Sequence, residues 1–280
     1  MAAPLSADAL LLALRSEGLR VVEYKSWRTH NREGHGLWGP VHGVMIHHTV
    51  TSGTASSVEL CYAGHSELPG PLCHGVIDKE GTVHMVGHGR ANHAGLGDDD
   101  VLRAVITEAA LPADNEANTD GNARFYGFEC VNLGDGKDPW PAEQLLAIER
   151  VSAAICRAHD WEADSVIGHL EWQPGKVDPR GFTMPSMRTR VAARLETKPP
   201  SKPTVPPTPT APSKGTPAVA TTDSRVAALH TNLTAIGEIG TSATGTKSGR
   251  VEHAAGYYLA HILDEVRQLR ADVAALTKES

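Results

Sequence analysis

The sequence predicts an α/β domain with a mostly central mixed sheet flanked by helices, followed by a disordered linker and a small α-helical C-terminal module. Three observations predict it. Over residues 1–196, stretches with strand character are interspersed with stretches of helical periodicity, the pattern of one sheet covered by helices. Residues 197–222 then turn to Pro, Thr, Lys, Ala and Ser with almost nothing large to bury, so ordering them cannot be offset by burial and an extended spacer is expected. Residues 223–280 return to helical spacing. The expected domains are therefore 1–196, the linker 197–222, and the module 223–280.

The elements follow in order. Ser6 can cap a short helix that runs to Leu14, since its hydroxyl can accept a free first-turn amide. Residues 19–24 read as a strand, and 43–50 as a second, apolar until its two histidines. Residues 56–66 read as a helix with Ser56 or Ser57 near its start. Residues 74–77 and 83–86 flank Asp78-Lys79-Glu80-Gly81, the composition of a hairpin turn. A strand is expected at 126–132. Pro141 suits the first turn of a helix whose apolar positions Leu145, Ile148, Val151 and Ile155 keep helical spacing. A short strand at 166–169 and a helix at 184–195 complete the domain. In the tail, Leu259, Ile262, Val266, Leu269, Val273 and Leu276 are spaced alternately three and four residues apart. That is a coiled-coil seam, and it makes residues 259–276 a candidate for self-association, with packing on a helix at 225–236 as the alternative.

Composition narrows the function classes. The 280 residues are 40% hydrophobic and 21% charged, with a net charge of −7, which gives no electrostatic reason to expect nucleic acid or an anionic membrane as partner. Cys61, Cys73, Cys130 and Cys156 form no CxxC pair, and free thiols in a reducing compartment are expected. The apolar run 10–14 has no basic segment ahead of it and meets Arg15 and Glu17 at once, so no signal peptide is expected. No apolar stretch approaches the roughly 20 residues that span a bilayer. The expectation is a protein made, and at first held, in the cytoplasm.

Histidines are plentiful, so context must select among them. His47 and His48 end an apolar strand, and strand alternation lets only one of them enter a given site. The segment Gly168-His169-Leu-Glu-Trp-Gln-Pro-Gly-Lys176-Val-Asp178-Pro179 places a His at a strand end, then a Pro-Gly turn, then a Lys and an Asp two residues apart. Such a turn lets the Asp fold back beside the His, with an ordinary surface turn as the alternative for the segment taken alone. With one His from the earlier strand this makes a His₂Asp set, and three protein ligands with an open fourth position are the layout of a catalytic zinc site.

These segments resemble the type-2 N-acetylmuramoyl-L-alanine amidases, which include phage endolysins and peptidoglycan recognition proteins. The strand Val-Met-Ile-His47-His48-Thr49 resembles the family's first motif, and the segment from Gly168 to Pro179 its last. His74-Gly-Val-Ile-Asp-Lys-Glu-Gly-Thr-Val is similar to the family hairpin, Gly89-Arg-Ala-Asn92-His93-Ala-Gly95 to the loop lining the cleft, and Tyr126-Gly-Phe-Glu129 to the strand with the acidic residue. The resemblance covers about residues 40–195, with the motifs in family order.

The resemblance implies a peptidoglycan hydrolase that cuts the amide between N-acetylmuramic acid and L-alanine by zinc-activated water. Zinc (Zn2+) would be held by His47, His169 and Asp178. Glu129 would be the general base and Lys176 the oxyanion stabiliser, with Asn92, His93 and Trp172 facing substrate, Trp172 having a place in the core as its alternative. Relatives often carry Tyr where this chain has Cys73; a thiol lacks a phenol's reach, and Cys73 is expected to be a buried packing residue. The linker and tail fit a phage-type endolysin, held in the cytoplasm until its release to the cell wall, whose C-terminal module targets the wall or oligomerises and whose partner is bacterial peptidoglycan. The alternatives are a cytoplasmic muropeptide-recycling amidase and a non-catalytic peptidoglycan-binding protein.

Overall fold

The computed structural model describes residues 2–197. The expected linker (beyond Thr197), the expected helical module at 223–280 and the heptad spacing at 259–276 lie outside the described residues. The elements run α1 (Ala7–Ser16), β1 (Val21–Glu23), β2 (Gly43–His48), α2 (Thr54–Ala63), the short pair β3 (Gly64–His65) and β4 (Leu68–Pro69), then β5 (Gly75–Ile77), β6 (Val83–Met85), β7 (Leu96–Gly97), α3 (Asp99–Ile106), β8 (Thr119–Asp120), β9 (Phe125–Cys130), α4 (Ala142–His159), β10 (Val166–Gly168) and α5 (Met184–Leu195).

Six strands form the main sheet in the order β1-β6-β5-β9-β2-β10. β2 lies between β9 and β10 and is parallel to both. β5 is parallel to β9 and antiparallel to β6, and β1 is parallel to β6. The sheet is therefore mixed, as the sequence predicts.

Side-chain alternation assigns each face its task. Val44 and Ile46 of β2, with Tyr126 and Phe128 of β9, share one apolar core with Ile148, Val151 and Ile155 of α4 and Leu10 and Leu14 of α1. Each such side chain contributes about 1.5–3 kcal/mol when fully buried. On the opposite face Met45, Phe125 and Ile167 pack with Trp172 and with Val101 and Val105 of α3. Farther along that face, Val76 packs with Val58 and Cys61 of α2 and with Cys73. Cys73 is thus a packing residue, and all four cysteines are free and buried.

Helix ends follow their capping chemistry. Ser6 accepts the Ala9 amide, and Thr183 accepts the Ser186 amide at the start of α5. Pro141 stands at the cap of α4, one residue ahead of the first turn. α2 begins at Thr54 behind Gly53, earlier than the sequence suggests, because Ser56 and Ser57 donate their hydroxyls to the Gly53 carbonyl instead of capping. Sequence periodicity passes over α3, whose signal is Asp98 accepting the amides of Asp100 and Val101 ahead of the buried pair Val101 and Val105. Among the described residues, no helix is long and apolar enough to cross a membrane.

The expected hairpin forms as β5 and β6, closed by Asp78. Its Oδ1 accepts the Thr82 and Glu80 amides at 2.7 and 3.1 Å, and its Oδ2 lies 2.9 Å from His84 Nε2. Burial raises the Asp78 pKa, but the His84 ring and the Thr82 amide outweigh it and hold the carboxyl below its usual value. A depressed acid stabilises the fold above the unfolded pKa of about 3.9, and that contribution is lost as pH falls through the folded value. Asp78→Asn is therefore expected to cost about 1–3 kcal/mol at pH 7, with the deficit shrinking below pH 4. Urea denaturation of both proteins at pH 7 and pH 3 measures this, and an equal deficit at both would refute the ionic account.

Candidate active site

The site lies at the C-terminal ends of β2, β9 and β10, where parallel strands converge. β2 directs His47 to the face opposite α4. His48, one residue on, points to the other face, where its Nδ1 accepts the Arg180 amide at 3.2 Å and its ring lies against Gly134. A Cβ at Gly134 would stand 2.3 Å from the His48 ring, and its φ of +67° also favours glycine.

β10 ends at Gly168 and the chain turns at once through the short helix His169–Glu171. Glu171 anchors this turn by accepting the Gly168 amide and pairing with Arg188 of α5 at 2.8 Å. The loop then returns, and the Leu170 amide donates to the Asp178 carbonyl at 2.7 Å. That bond brings the Asp178 carboxylate beside the His169 ring.

Three donor atoms meet there. His47 Nδ1 is 3.1 Å from His169 Nδ1 and 3.0 Å from Asp178 Oδ2, and His169 Nδ1 is 3.1 Å from the same oxygen. Both rings are buried, and Asp178 is 14% exposed. Burial pulls the His47 pKa down to about 4, against the upward pull of the Asp178 carboxylate. Burial pushes Asp178 up, but the His169 and His47 rings outweigh it and hold it far below the usual carboxylate range. Among the described residues these are the three whose donor atoms group as a metal site.

Glu129 sits in register with His47 on the adjoining strand. In-register neighbours share a face, so its carboxylate is directed to the same side of the sheet. Its Oε2 is buried and has no hydrogen-bond partner. Burial, reinforced by the Asp178 charge and opposed by Lys176, raises its pKa to about 8. A cation at the triad would offset the Asp178 repulsion and favour the carboxylate. Lys176 is exposed on the returning loop, and its charge is felt at both Glu129 and His47.

The three residues expected at the substrate fare differently. Asn92 is partly buried, and its side-chain amide donates to the Pro69 carbonyl at 2.7 Å. Trp172 takes its core alternative: it is fully buried, lies edge-on to Phe125, and donates its indole N–H to the Ala94 carbonyl at 3.0 Å. It presents no face to solvent because the small residue Gly97 lets the chain close over it, where a Cβ would stand 2.1 Å from the indole. His93 is also buried, with its ring behind His47 at 3.1 Å. Sequence reasoning passes over Asn122, whose Oδ1 accepts the amides of His93, Ala94 and Gly95, and Gln173, whose Oε1 is 3.3 Å from His169 Nε2. Neither lies in a pattern that marks it before the loops are folded.

The catalytic domain of XlyA resembles this chain at 17% identity and a TM-score of 0.43, covering 62% of this chain and 99% of its own. The N-acetylmuramoyl-L-alanine amidase LysC from Clostridium intestinale URNW does so at 16% identity and 0.42, covering 64% and 99%. The Ph2119 endolysin from Thermus scotoductus MAT2119 bacteriophage Ph2119 does so at 13% and 0.41, covering 62% and 99%. No curated protein matches the chain in sequence. The family model for N-acetylmuramoyl-L-alanine amidase matches residues 37–181, more than half of the sequence and the whole of the site just described, and the chain belongs to that family.

Proposed function

We propose that this protein is a zinc-dependent hydrolase of the endolysin type that cuts the amide between N-acetylmuramic acid and the L-alanine of the stem peptide. The observation that carries the reading is the triangle of donor atoms from His47, His169 and Asp178. Its sides of 3.0–3.1 Å are close to the edge of about 3.3 Å that a tetrahedral site has with ligands at 2.0–2.1 Å. Two imidazole nitrogens and one carboxylate oxygen suit zinc, and three protein donors leave a fourth position free, as in catalytic sites. When bound, the metal would polarise the scissile carbonyl and lower the pKa of water to about 7.

The protein's own groups supply the proton transfers. Glu129 carries a buried, unpartnered oxygen and stands in register with His47 on the adjoining strand. As general base it takes the proton of the attacking water and returns it to the departing L-alanine amine. Lys176, two residues before Asp178, brings a positive charge to the oxyanion of the tetrahedral intermediate. The endolysin assignment draws on the sequence beyond the catalytic domain: a Pro/Thr-rich run at 197–222 and the alternating three- and four-residue apolar spacing at 259–276 suit an enzyme tethered at a polymeric wall.

Digestion of purified peptidoglycan tests the activity. New L-alanine amino termini with intact glycan strands are expected by mass spectrometry, with loss of activity on chelation and recovery on adding zinc. New reducing sugars, or activity indifferent to chelators, would contradict the assignment. Binding to the wall with no new ends would make the protein a recognition module.

Point variants separate the roles. Asp178→Ala is expected to lower zinc occupancy and activity together. Glu129→Gln should retain zinc and fold while kcat falls by about 10²–10⁴. It should also flatten the acid limb of the pH profile, because wild-type activity falls with pH as Glu129 takes up its proton. Lys176→Ala should lower kcat by about 10² or more with KM little changed. A Glu129→Gln enzyme as active as wild type would remove that residue from the mechanism.

A further inference from the structure

His93 was expected to face substrate, yet its ring is buried and makes two defined contacts. Its Nδ1 is 3.1 Å from His47 Nε2, and its Nε2 is 3.2 Å from the Phe125 carbonyl oxygen. The two rings meet edge-on, 5.3 Å between centroids at 82°. We propose that His93 is the positioning residue of the metal site, fixing the tautomer and orientation of His47 through a hydrogen-bond chain that begins at the Phe125 carbonyl. This inference rests on the zinc reading above.

The direction of the chain follows from its first member. A carbonyl only accepts, so the His93 nitrogen facing Phe125 carries the hydrogen. The other nitrogen of that neutral ring is then a bare acceptor, and it faces His47 Nε2. His47 therefore carries its hydrogen on Nε2 and presents the lone pair of Nδ1 to His169 and Asp178. His169 is treated alike: its Nε2 donates to Gln173 Oε1 at 3.3 Å, leaving its Nδ1 lone pair turned to the same point. Two lone pairs and a carboxylate oxygen thus meet with no proton assigned among them, an arrangement stabilised by a cation.

The backbone around His93 is shaped for this task. Gly127 lies beneath the ring, and a Cβ there would stand 2.4 Å from His93 Nδ1 and 2.5 Å from its Cγ. Any side chain at 127 would push the ring off His47. The Gly127 amide is itself held by His74 Nδ1 at 2.9 Å, and His74 Nε2 donates to the Gly89 carbonyl at 2.9 Å. From the loop side, Asn122 accepts the His93 amide at 2.9 Å. Ring and backbone are therefore positioned independently of any substrate. Outer partners of this kind typically change metal affinity 10–100-fold when removed.

Zinc titration of the metal-stripped full chain against a chelator, run beside steady-state kinetics, tests the proposal. His93→Phe keeps a ring and removes the acceptor; it is expected to weaken zinc binding by about 10–100-fold while KM is unchanged. His93→Asn, whose Oδ1 takes the place of Nδ1, should recover most of the affinity. Gln173→Leu, on a partly exposed loop, should weaken binding several-fold and remains measurable if His93→Phe does not fold. Wild-type affinity in His93→Phe with a raised KM would return His93 to the substrate, and equal losses in the Phe and Asn variants would reduce it to filling space. Either result overturns the proposal while leaving the zinc site intact. A wild-type chain that binds no zinc would remove the metal reading and this inference together.

Discussion

The parallel pairing of β2 between β9 and β10 is the constraint on which the rest of the molecule depends. It ends three strands at one edge and so brings His47, Glu129 and His169 together, though they come from three distant parts of the chain. Parallel strands need crossover connections, and here they are supplied partly by α4 between β9 and β10. The same helix covers the lower face of the sheet with Ile148, Val151 and Ile155. A one-residue slip between β2 and β9 would turn His47 toward α4 and bring His48 to the site. The apolar residues that alternate with the site residues, Val44 and Ile46 on β2 and Tyr126 and Phe128 on β9, make that slip costly.

Burial gives the site its chemistry and also its cost. Desolvation is the largest influence on His47, Glu129 and Asp178 alike, and it pushes each toward its neutral form. The rings of His47 and His169 overcome it at Asp178 and keep a carboxylate in the site. Nothing overcomes it at Glu129, whose buried oxygen has no partner. A carboxylate kept poor in hydrogen bonds is a weak asset for stability, since an unsatisfied buried acceptor costs about 1–3 kcal/mol. In the proposed role of general base it would receive a proton that arrives only with water and substrate.

Much of this is visible in the order of residues alone. The apolar run ending in His47-His48 marks a strand that delivers a side chain to a site, and the Pro-Gly turn between His169 and Asp178 marks a chain folding back on itself. Helix α5 begins and ends where its periodicity says, at Met184 and Leu195, because Thr183 caps it and Pro185 suits its first turn. α3 is hidden by its brevity: eight residues carry only two buried apolar positions, too few for a helical period to stand out from the acidic residues around it.

Sequence by itself determined the residue types of the site, their order and the strand endings that present them, because these follow from local periodicity and turn chemistry. Only the tertiary structure decided which of those residues face one another. His93 lies in a glycine-rich segment that reads as cleft lining and Trp172 in a loop that reads equally as cleft or core; both are buried. The cause lies in glycines on other elements: Gly127 on β9 opens the space that His93 fills behind His47, and Gly97 opens that of Trp172. A glycine's missing Cβ leaves no mark on its own strand pattern, and it acquires meaning only when a distant ring moves into the space it leaves.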